Sequence, residues 1–559
     1  MKPKLLLTII ALAVLTTLSL AHAQGAYTPE SPTAGTTTLV SVASDGTQGN
    51  DDSNWPAISA DGRYVAFHST ASTLVPGDSN GTYDIFVRDR QTGATTRVSV
   101  ASDGTQGNGI SYSPAISADG RYVAFHSGAS TLVIGDANGQ VDVFVHDTQT
   151  NQTSLVSLAS GGIQGNSYSM YPAISADGRY VAFHSAASNL VTGDDNWQVD
   201  VFVHDRQTSA TSRVSVDSIG TQGDDGSYNP SISADGRYVA FHSAASTLVT
   251  GDTNGGFDIF LHDRQSSATS RVSVSSTGTQ GDYGSGGSAI SADGRYVAFH
   301  SSAGNLVPVD TNGSTYDDIF VRDTQTNQTS LVSVDSDGIQ GNYASNVPAI
   351  SADGRYVAFR SYANNLVTDD TNICDDIFVR DTKDGVTSRV SVASDGTQGD
   401  YASPVPAISA DGRYVAFESW ATNLVLDDNN GKWDVFVHTQ EIESEANLTI
   451  NYPDGAPGSY FTVTGSGFPA NDTATISANG LELGTVPIDA IGGFTFIFST
   501  TNADEGLYLV TASVNPSATT QLVLDAAEPT RTQEGTGSLI DIPAGIAFTN
   551  QIFLPLLQR

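Results

Sequence analysis

The sequence predicts an all-β protein: a seven-bladed β-propeller closed by its own N-terminal strand, followed by a β-sandwich. Three observations support this fold class. The segment SADGRYVAF recurs in tandem with its aspartate at positions 61, 119, 177, 235, 293, 353 and 411. A strand-like segment stands alone before the first repeat, and the repeats stop near residue 440. The spacing of 58 residues, once 60, is too long for leucine-rich or ankyrin units and suits a four-stranded blade.

Each repeat divides into four predicted strands, a to d. In the first repeat they cover residues 56–59, 63–68, 84–89 and 95–100. The Asp61-Gly62 pair suits a tight a-to-b turn, so this aspartate and its six equivalents are interpreted as turn formers and not as catalytic acids. Strands b and c are apolar on both faces, which indicates that each blade is covered by its neighbours.

The last repeat lacks its fourth strand. Residues 434–438 run into Gln440-Glu441-Ile442, where earlier repeats have the sequence TSRVSV or a close variant. Residues 37–42 copy that missing strand at the other end of the repeat array. We therefore expect residues 37–42 to pair with residues 434–438, which would remove an open sheet edge and define a propeller over residues 37–440.

The N-terminus predicts export. Residues 1–23 show the charged, apolar and small-x-small order of a cleavable signal peptide, and residues 24–36 form a linker. A single-span anchor is the alternative, but the apolar run is short for a membrane span. The expected location is the periplasm, cell surface or medium, with no membrane span after cleavage. Cys374 is the only cysteine, so no intrachain disulfide can form.

The formal net charge is −36 for the whole chain, and it becomes −38 without the two leader lysines. Such a charge repels nucleic acids and anionic lipid surfaces, so no nucleic-acid partner is expected. It suits a solvated extracellular surface, and attraction of cations is the alternative interpretation.

The repeats resemble the WD40-like repeat of TolB-type bacterial exported proteins. The matching segments are SADGRYVAF, DIFVRD and TSRVSV, and the resemblance spans residues 37–438. It implies a propeller that acts as a binding or scaffold module. Some propellers of this type are fused to peptidases, and no hydrolase domain is expected here. Two features depart from the family pattern: an alanine before the Asp-Gly turn and a longer b-to-c loop. The resemblance does not imply TolB's own binding partner, because only the repeats match and no partner-specific segment does.

Residues 446–526 resemble a bacterial immunoglobulin-like domain, through GAPGSYFTVTGSGFPAND, GGFTFIFST and EGLYLVTASV. The resemblance implies a spacer or adhesion module. Residues 527–559 are predicted to be a C-terminal tail, acting in docking or sorting or forming a pendant strand.

Long b-to-c and d-to-a loops are expected on one face of the propeller, and the tight turns on the other. Aromatic residues precede strand a on the long-loop side: Trp55, Tyr112, Tyr168, Tyr228, Tyr283, Tyr343 and Tyr401. Aromatic side chains beside carboxylates suit recognition of a protein or a polysaccharide, and packing of the loops is the alternative.

The b-to-c loops also place oxygen-bearing side chains at alternate positions, as Ca²⁺ sites do. The fifth repeat has a two-residue insertion, and its candidate ligands are Asp310, Asn312, Ser314 and Asp318. Calcium is the one cofactor that the sequence suggests. The alternative is that these side chains pin the loop through hydrogen bonds to its backbone.

No catalytic signature is found. Apart from His22, the histidines recur at equivalent repeat positions, which argues for a structural role, and no GxSxG or HExxH motif occurs. The sequence therefore predicts a non-enzymatic, exported binding or scaffold protein that recognises a protein or glycan through its long-loop face. The alternatives are a secreted lyase or glycosidase, which would need a unique acid or base among the blades, and a calcium-stiffened structural surface protein.

Overall fold

The computed structural model describes residues 35–440, 447–468, 472–489, 493–514, 517–533 and 537–547. The predicted signal peptide, nearly all of the predicted linker and the end of the predicted tail lie outside these residues. The chain divides into two compact units, Met1–Glu441 and Ile442–Arg559. Within the described residues, the regular elements are strands apart from one 3-10 turn at Gly313–Thr315.

The first unit contains seven four-stranded antiparallel sheets. Strand β1 spans Thr37–Leu39. Sheet 1 contains β2 (Ser53–Ile58), β3 (Tyr64–Ser69), β4 (Asp84–Asp89) and β5 (Ala94–Arg97). Sheet 2 contains β6 (Ser111–Ile116), β7 (Tyr122–Ser127), β8 (Asp142–Asp147) and β9 (Gln152–Leu155). Sheet 3 contains β10 (Ser169–Ile174), β11 (Tyr180–Ser185), β12 (Asp200–Asp205) and β13 (Ala210–Arg213).

The remaining sheets repeat this order. Sheet 4 contains β14 (Ser227–Ile232), β15 (Tyr238–Ser243), β16 (Asp258–Asp263) and β17 (Ala268–Arg271). Sheet 5 contains β18 (Ser285–Ile290), β19 (Tyr296–Ser301), β20 (Asp318–Asp323) and β21 (Gln328–Leu331). Sheet 6 contains β22 (Ser345–Ile350), β23 (Tyr356–Ser361), β24 (Asp376–Asp381) and β25 (Val386–Arg389). Sheet 7 contains β26 (Pro406–Ile408), β27 (Tyr414–Ser419), β28 (Asp434–Thr439) and, as its fourth strand, β1.

The N-terminal strand completes the last sheet, as the sequence predicts. Thr37 pairs with His438 and Leu39 with Phe436 in antiparallel register. Backbone hydrogen bonds also connect the a-to-b turns of neighbouring sheets. The Ala60 N–H donates to the Ala118 carbonyl of the next sheet at 3.0 Å, and the same bond recurs from sheet to sheet. The last one, from the Ala410 N–H to the Ala60 carbonyl at 3.0 Å, returns to the first sheet. The sheets therefore form a closed ring, which is the arrangement expected of a propeller.

The Asp-Gly turns have the structural role that the sequence predicts. The Asp61 carboxylate accepts hydrogen bonds from Ser59 Oγ at 2.6 Å and from the Arg63 backbone N–H at 3.0 Å. Gly62 has φ +72°, and a Cβ atom there would lie 2.0 Å from the ring of Tyr414 in the preceding sheet. Glycine is required both for the turn and for this close contact between sheets.

The second unit contains two sheets that share one hydrophobic core. The first sheet is formed by β29 (Asn447–Ile450), β31 (Tyr460–Ser466), β34 (Phe494–Ser499) and β37 (Ser538–Asp541). The second is formed by β30 (Asp454–Gly455), β36 (Ala518–Leu524), β35 (Gly506–Ser513), β32 (Thr473–Ala478) and β33 (Leu481–Pro487).

The predicted boundary at residue 526 has to be moved. Strand β37 pairs in parallel with β34, and Ile540 and Ile542 are buried in the core of this unit. Residues 537–547 therefore belong to the second unit and not to a separate tail. The physical reason is that the alternation of Leu539, Ile540, Asp541 and Ile542 presents every second side chain to the core.

Candidate functional site

The seven sheets can be compared position by position because the repeat length is almost constant. The fifth residue of each strand b is called the ring position. It is occupied by His68, His126, His184, His242, His300, Arg360 and Glu418. Five sheets therefore have histidine there, and sheets 6 and 7 do not.

The aromatic residues singled out in the sequence do not occupy one equivalent position. Trp55 is the third residue of β2, whereas Tyr112 and Tyr228 are the second residues of β6 and β14. Tyr168, Tyr283, Tyr343 and Tyr401 precede their strands. Because a shift of one residue turns a side chain to the other face of a strand, the structure places these seven residues in different surroundings and not in a single ring.

Tyr112 and Tyr228 are half-buried between histidines of the ring position. The Tyr112 ring lies 5.1 Å from His68 and 6.0 Å from His126, and the Tyr228 ring lies 5.6 Å from His184. Burial lowers the pKa of His68 and His184 to about 3, which keeps both neutral. For these two tyrosines the geometry favours the packing interpretation.

A cavity of about 650 Å³ lies where the first strands of sheets 1 to 6 converge, and Trp55, Tyr171 and Asn229 line it. Each of these three residues lies at a bulge and has positive φ, between 45° and 54°. The Trp55 and Tyr171 rings are 6.5 Å apart and meet edge to face. The cavity combines aromatic walls with polar groups, including the carboxylate of Asp317.

Sheet 5 opens one side of this cavity because its first strand has glycines where its neighbours have side chains. A Cβ atom at Gly286 or Gly287 would lie 2.9 or 2.7 Å from the His300 imidazole. The glycines therefore make room for His300, which lines the cavity together with Asp317. The negative charge of Asp317 opposes the lowering of the His300 pKa that burial causes.

Glu418 occupies the ring position of sheet 7 and is the only glutamate between residues 35 and 440. Its Oε2 accepts a hydrogen bond of 2.7 Å from the backbone N–H of Trp55. In sheets 2 and 3 the neighbouring bulge donates instead to a histidine, for example Tyr171 N–H to His126 Nδ1 at 3.4 Å. Burial raises the pKa of Glu418 to about 7, so its carboxyl group is poised to take or give a proton near neutrality.

Arg360 occupies the ring position of sheet 6. Its Nη2 donates a long hydrogen bond of 3.4 Å to Asn346 Oδ1, while its buried Nε has no hydrogen-bond partner among the described residues. Asn346 in turn donates to Asp317 at 2.8 Å. The positive charge of Arg360 also partly offsets the burial that raises the pKa of Glu418 and of Asp375.

Sequence reasoning did not single out Arg360 or Glu418, and it considered Asp317 only as the neighbour of the candidate calcium ligand Asp318. The signal was available as a departure from the repeat: arginine and glutamate replace histidine in the last two copies, and an aspartate precedes strand c in sheets 5 and 6. The repetition of the histidines predicts a structural role for them. Their contacts with tyrosine rings and with the backbone in sheets 1 to 4 support this role.

The structure brings together three of the four candidate calcium ligands. Asp310 and Asp318 both accept hydrogen bonds from Gln340 Nε2, at 3.0 and 2.7 Å, and burial raises the pKa of Asp318 to about 6. Asn312 Oδ1 is buried without a hydrogen-bond partner among the described residues. Ser314 lies on the exposed 3-10 turn. The Gly313 N–H donates to Asp310 at 2.8 Å, so a turn-forming role is also present.

The equivalent pair of aspartates has an arginine beside it in four sheets. In sheet 1, for example, Arg97 lies 3.4 Å from Asp78 and 3.8 Å from Asp84. The corresponding arginines in sheets 3, 4 and 6 are Arg213, Arg271 and Arg389. In sheet 5 the same position is Leu331, so the pair Asp310 and Asp318 has no such cation from the protein.

Two further properties concern only the part of the chain that the structure describes. In that part, no cluster of three or more histidine, cysteine, aspartate or glutamate side chains is arranged to hold a metal ion. The same residues include no helix of sufficient length and apolarity to span a membrane.

No family model matches the chain, and no match is found among curated proteins. Among solved structures, the chain is similar to a TolB from Agrobacterium tumefaciens, with 16% identity, a TM-score of 0.33, and coverage of 50% of this chain and 80% of that one. It is similar to the hydrazine synthase of Kuenenia stuttgartiensis, with 14% identity, a TM-score of 0.34, and coverage of 70% and 96%.

A third similar structure is a prolyl endopeptidase, with 13% identity and a TM-score of 0.43. The match covers 74% of this chain and 54% of that one. Likenesses at these scores carry no argument about what this chain binds or catalyses. The fold assignment rests on the closed ring of four-stranded sheets.

Proposed function

We propose that the chain is an exported binding or scaffold protein, whose first unit is a seven-bladed propeller of the TolB type and whose second unit is an immunoglobulin-like spacer. Recognition takes place on the long-loop face. The observation that carries the proposal is the cavity of about 650 Å³ lined by Trp55, Tyr171 and Asn229, because concave sites with aromatic walls and a few polar groups are typical of ligand binding.

The exposure of the aromatic residues supports the same face. Trp55 and Tyr171 remain 40% and 37% exposed although they line the cavity, so both can contact a ligand. The tight c-to-d turns at the other end of the sheets carry polar residues such as Gln149. A protein or polysaccharide partner fits this face, and the net charge of −36 disfavours nucleic acids.

We predict that Trp55→Ser combined with Tyr171→Ser weakens ligand binding by at least about tenfold, because two aromatic contacts are lost. Serine is the residue that sheet 2 has at this bulge, Ser113, so the fold should tolerate it. Ligands are to be identified with a glycan array and by measuring binding to purified envelope fractions. Gln149→Ala, in a c-to-d turn, is the control. A ligand that responds to the control and ignores the double variant would show that the wrong face was chosen.

The rival proposal is a glycan-active enzyme, which requires an acid or base that only one sheet carries. Glu418 meets that requirement, since it is unique in the ring and has a pKa raised to about 7. Each glycan bound on the array is therefore incubated with the protein, and its reducing ends and unsaturated products are measured. We expect binding without turnover. Turnover that Glu418→Gln abolishes would establish the rival.

A second candidate function is stiffening by calcium at sheet 5. The observation that favours it is the buried, unpartnered Asn312 Oδ1 beside two aspartates that lack the arginine found in sheets 1, 3, 4 and 6. In this proposal Asp310, Asn312 and Asp318 provide oxygen ligands, which Ca²⁺ prefers.

We predict that millimolar calcium raises the melting temperature, because an ion that binds only the folded state stabilises it. The matched variant is Leu331→Arg, which installs the arginine of the other sheets and should remove most of the calcium effect. Melting is followed by circular dichroism with calcium and with chelator. Superimposable curves for the unmodified protein would refute the calcium site.

A further inference from the structure

The seven repeats diverge from one another in one sector of the long-loop face. Four positions of the repeat define this sector: the ring position, the residue two places after it, the residue before strand c, and the residue that aligns with Asp51, two places before β2. Ten of these twelve positions in sheets 5 to 7 hold tyrosine, tryptophan or a charged residue, and the other two are His300 and Ser302. The ten are Tyr283, Asp317, Tyr343, Arg360, Tyr362, Asp375, Tyr401, Glu418, Trp420 and Trp433.

In sheets 1 to 4 only four of the sixteen positions hold an aromatic or charged residue other than histidine: Asp51, Tyr83, Asp225 and Phe257. Two places after the ring position stand Thr70, Gly128, Ala186 and Ala244, where sheets 6 and 7 have Tyr362 and Trp420. Two places before strand a stand Asp51, Gly109, Ser167 and Asp225, where sheets 5 to 7 have tyrosines. Because the repeats are otherwise nearly identical and fold alike, folding does not require the large side chains of this sector.

The aromatic residues of the sector contact one another in clusters. The Tyr343 and Tyr362 rings are 6.5 Å apart, and the Tyr401 and Trp420 rings are 6.2 Å apart. Trp420 also lies 5.6 Å from Trp433. Tyr343, Tyr362, Tyr401 and Trp420 are each between 42% and 52% exposed. Such a concentration of half-exposed aromatic rings is typical of a binding surface.

Two acidic residues, Asp375 and Glu418, adjoin these aromatic residues through the backbone or along the chain. The backbone carbonyl of Asp375 accepts a hydrogen bond of 2.8 Å from Ser403 N–H, two residues after Tyr401. Glu418 is separated from Trp420 by one residue of the same chain segment. Arg360 is the single cation at the ring position. Tyr362, Trp420, Asp375, Glu418 and Arg360 are called the sheet 6–7 patch below.

We propose that the sheet 6–7 patch binds a neutral polysaccharide. This inference rests on the proposed binding function and names its ligand class and place. Aromatic rings provide apolar surfaces on which the C–H face of a sugar can pack. Carboxylates accept hydrogen bonds, arginine donates them, and sugar hydroxyl groups do both.

Acidic polysaccharides and proteins fit the patch less well. The two carboxyl groups of Asp375 and Glu418 outnumber the one guanidinium group, and the whole chain carries a net charge of −36, which repels polyanions. A protein partner would have to bury the half-buried carboxyl group of Asp375 against its own cations, whereas neutral hydroxyl groups match it without a counter-charge.

The test is native gel electrophoresis of the full chain with soluble polysaccharides in the gel. The neutral probes are galactomannan, xyloglucan, mixed-linkage β-glucan and soluble starch, and the acidic probes are pectin and alginate. We expect retardation by at least one neutral probe and by neither acidic probe. The double variant Tyr362→Ala/Trp420→Ala installs the alanine that sheets 3 and 4 have, and we expect at least about tenfold weaker binding.

Two further variants make the test specific. Trp197→Gly removes an exposed aromatic residue of sheet 3, at a position that is glycine in sheets 1, 2, 4 and 7, and binding should stay within about twofold. Glu418→His installs the ring histidine of five sheets and should weaken binding as the double variant does. Melting curves confirm that all variants are folded.

The outcomes separate this inference from the proposed function. Retardation by no neutral probe, or by an acidic probe only, overturns the ligand class. If retardation persists in Tyr362→Ala/Trp420→Ala but is lost in Trp55→Ser/Tyr171→Ser, the sheet 6–7 patch is not the binding site. The long-loop face then remains the binding surface. If instead a purified protein binds the unmodified chain and does not bind Tyr362→Ala/Trp420→Ala, the ligand is a protein and not a polysaccharide. The binding function itself then stands.

Discussion

Replacing Val40 by aspartate is expected to unfold the ring of the first unit under conditions in which the unmodified protein is stable. Val40 follows strand β1, is 1% exposed, and lies in the core shared by sheets 7 and 1 with Val65, Phe67 and Val437. A carboxylate there would be buried without a partner, which costs about 3–5 kcal/mol. The change is measured by urea unfolding followed by tryptophan fluorescence.

Thr38→Asp is the matched control because Thr38 is exposed on the same strand. We expect it to change the free energy of unfolding by less than about 0.5 kcal/mol. Two truncations test the same closure: removal of residues 24–43 should destabilise the ring far more than removal of residues from 446 onward. If the first truncation melts like the full chain, β1 does not close the ring.

The closure could be predicted because it needs only counting: six complete repeats, one incomplete repeat and one unpaired copy of the missing strand. The positions of strands b and c were also predictable, since both are apolar on both faces and recur at a fixed interval.

The second unit was harder to delimit. Ile540 and Ile542 show the alternation of a strand, but β37 joins the sheet by parallel pairing with Phe496–Ser499, about forty residues earlier. A parallel pairing over this distance has no local turn signal, in contrast to the Asp-Gly hairpins. The sequence pattern therefore predicts that the domain ends at residue 526, before this strand.

The candidate site could be predicted only in part. The aromatic residues of the long loops can be identified from the repeat, but the sequence does not show that these seven residues occupy different positions relative to their strands. Tyr112 and Tyr228 pack between histidines, whereas Trp55 lines the cavity. Arg360 and Glu418 lie 58 residues apart, so their electrostatic interaction follows from the ring and not from their spacing in the chain.

Glu418 is expected to lower stability in a way that depends on pH, so Glu418→Gln should stabilise the protein in alkaline solution. The pKa of this carboxyl group rises from 4.5 to about 7 on folding because of burial. A raised carboxyl pKa means that the folded state binds the proton more tightly than the unfolded state does. The contribution of Glu418 to the free energy of unfolding is therefore fully present below pH 4.5. It is lost progressively as the pH rises, and the loss is complete once the pH has passed 7.

The amide of the variant cannot ionise, and its Oε1 can still accept the Trp55 N–H. We expect the variant to gain about 2–3 kcal/mol over the unmodified protein at pH 8, and a few tenths at pH 4.5. Urea unfolding at several pH values measures the difference. Asp337→Asn, which changes an exposed carboxylate of sheet 5, should show no such trend. A difference that does not grow between pH 4.5 and 7 would refute the raised pKa.

A costly residue at a position where five other sheets have histidine calls for a function. Histidine accepts the same backbone hydrogen bond without an ionised group, as His126 does from Tyr171. Folding alone therefore gives no reason for glutamate in sheet 7. If Glu418→Gln is more stable at pH 8 and binds neutral polysaccharide more weakly, the destabilisation and the recognition have the same origin. The carboxyl group of Glu418, two residues before Trp420, then lowers the stability of the fold and contributes to ligand binding.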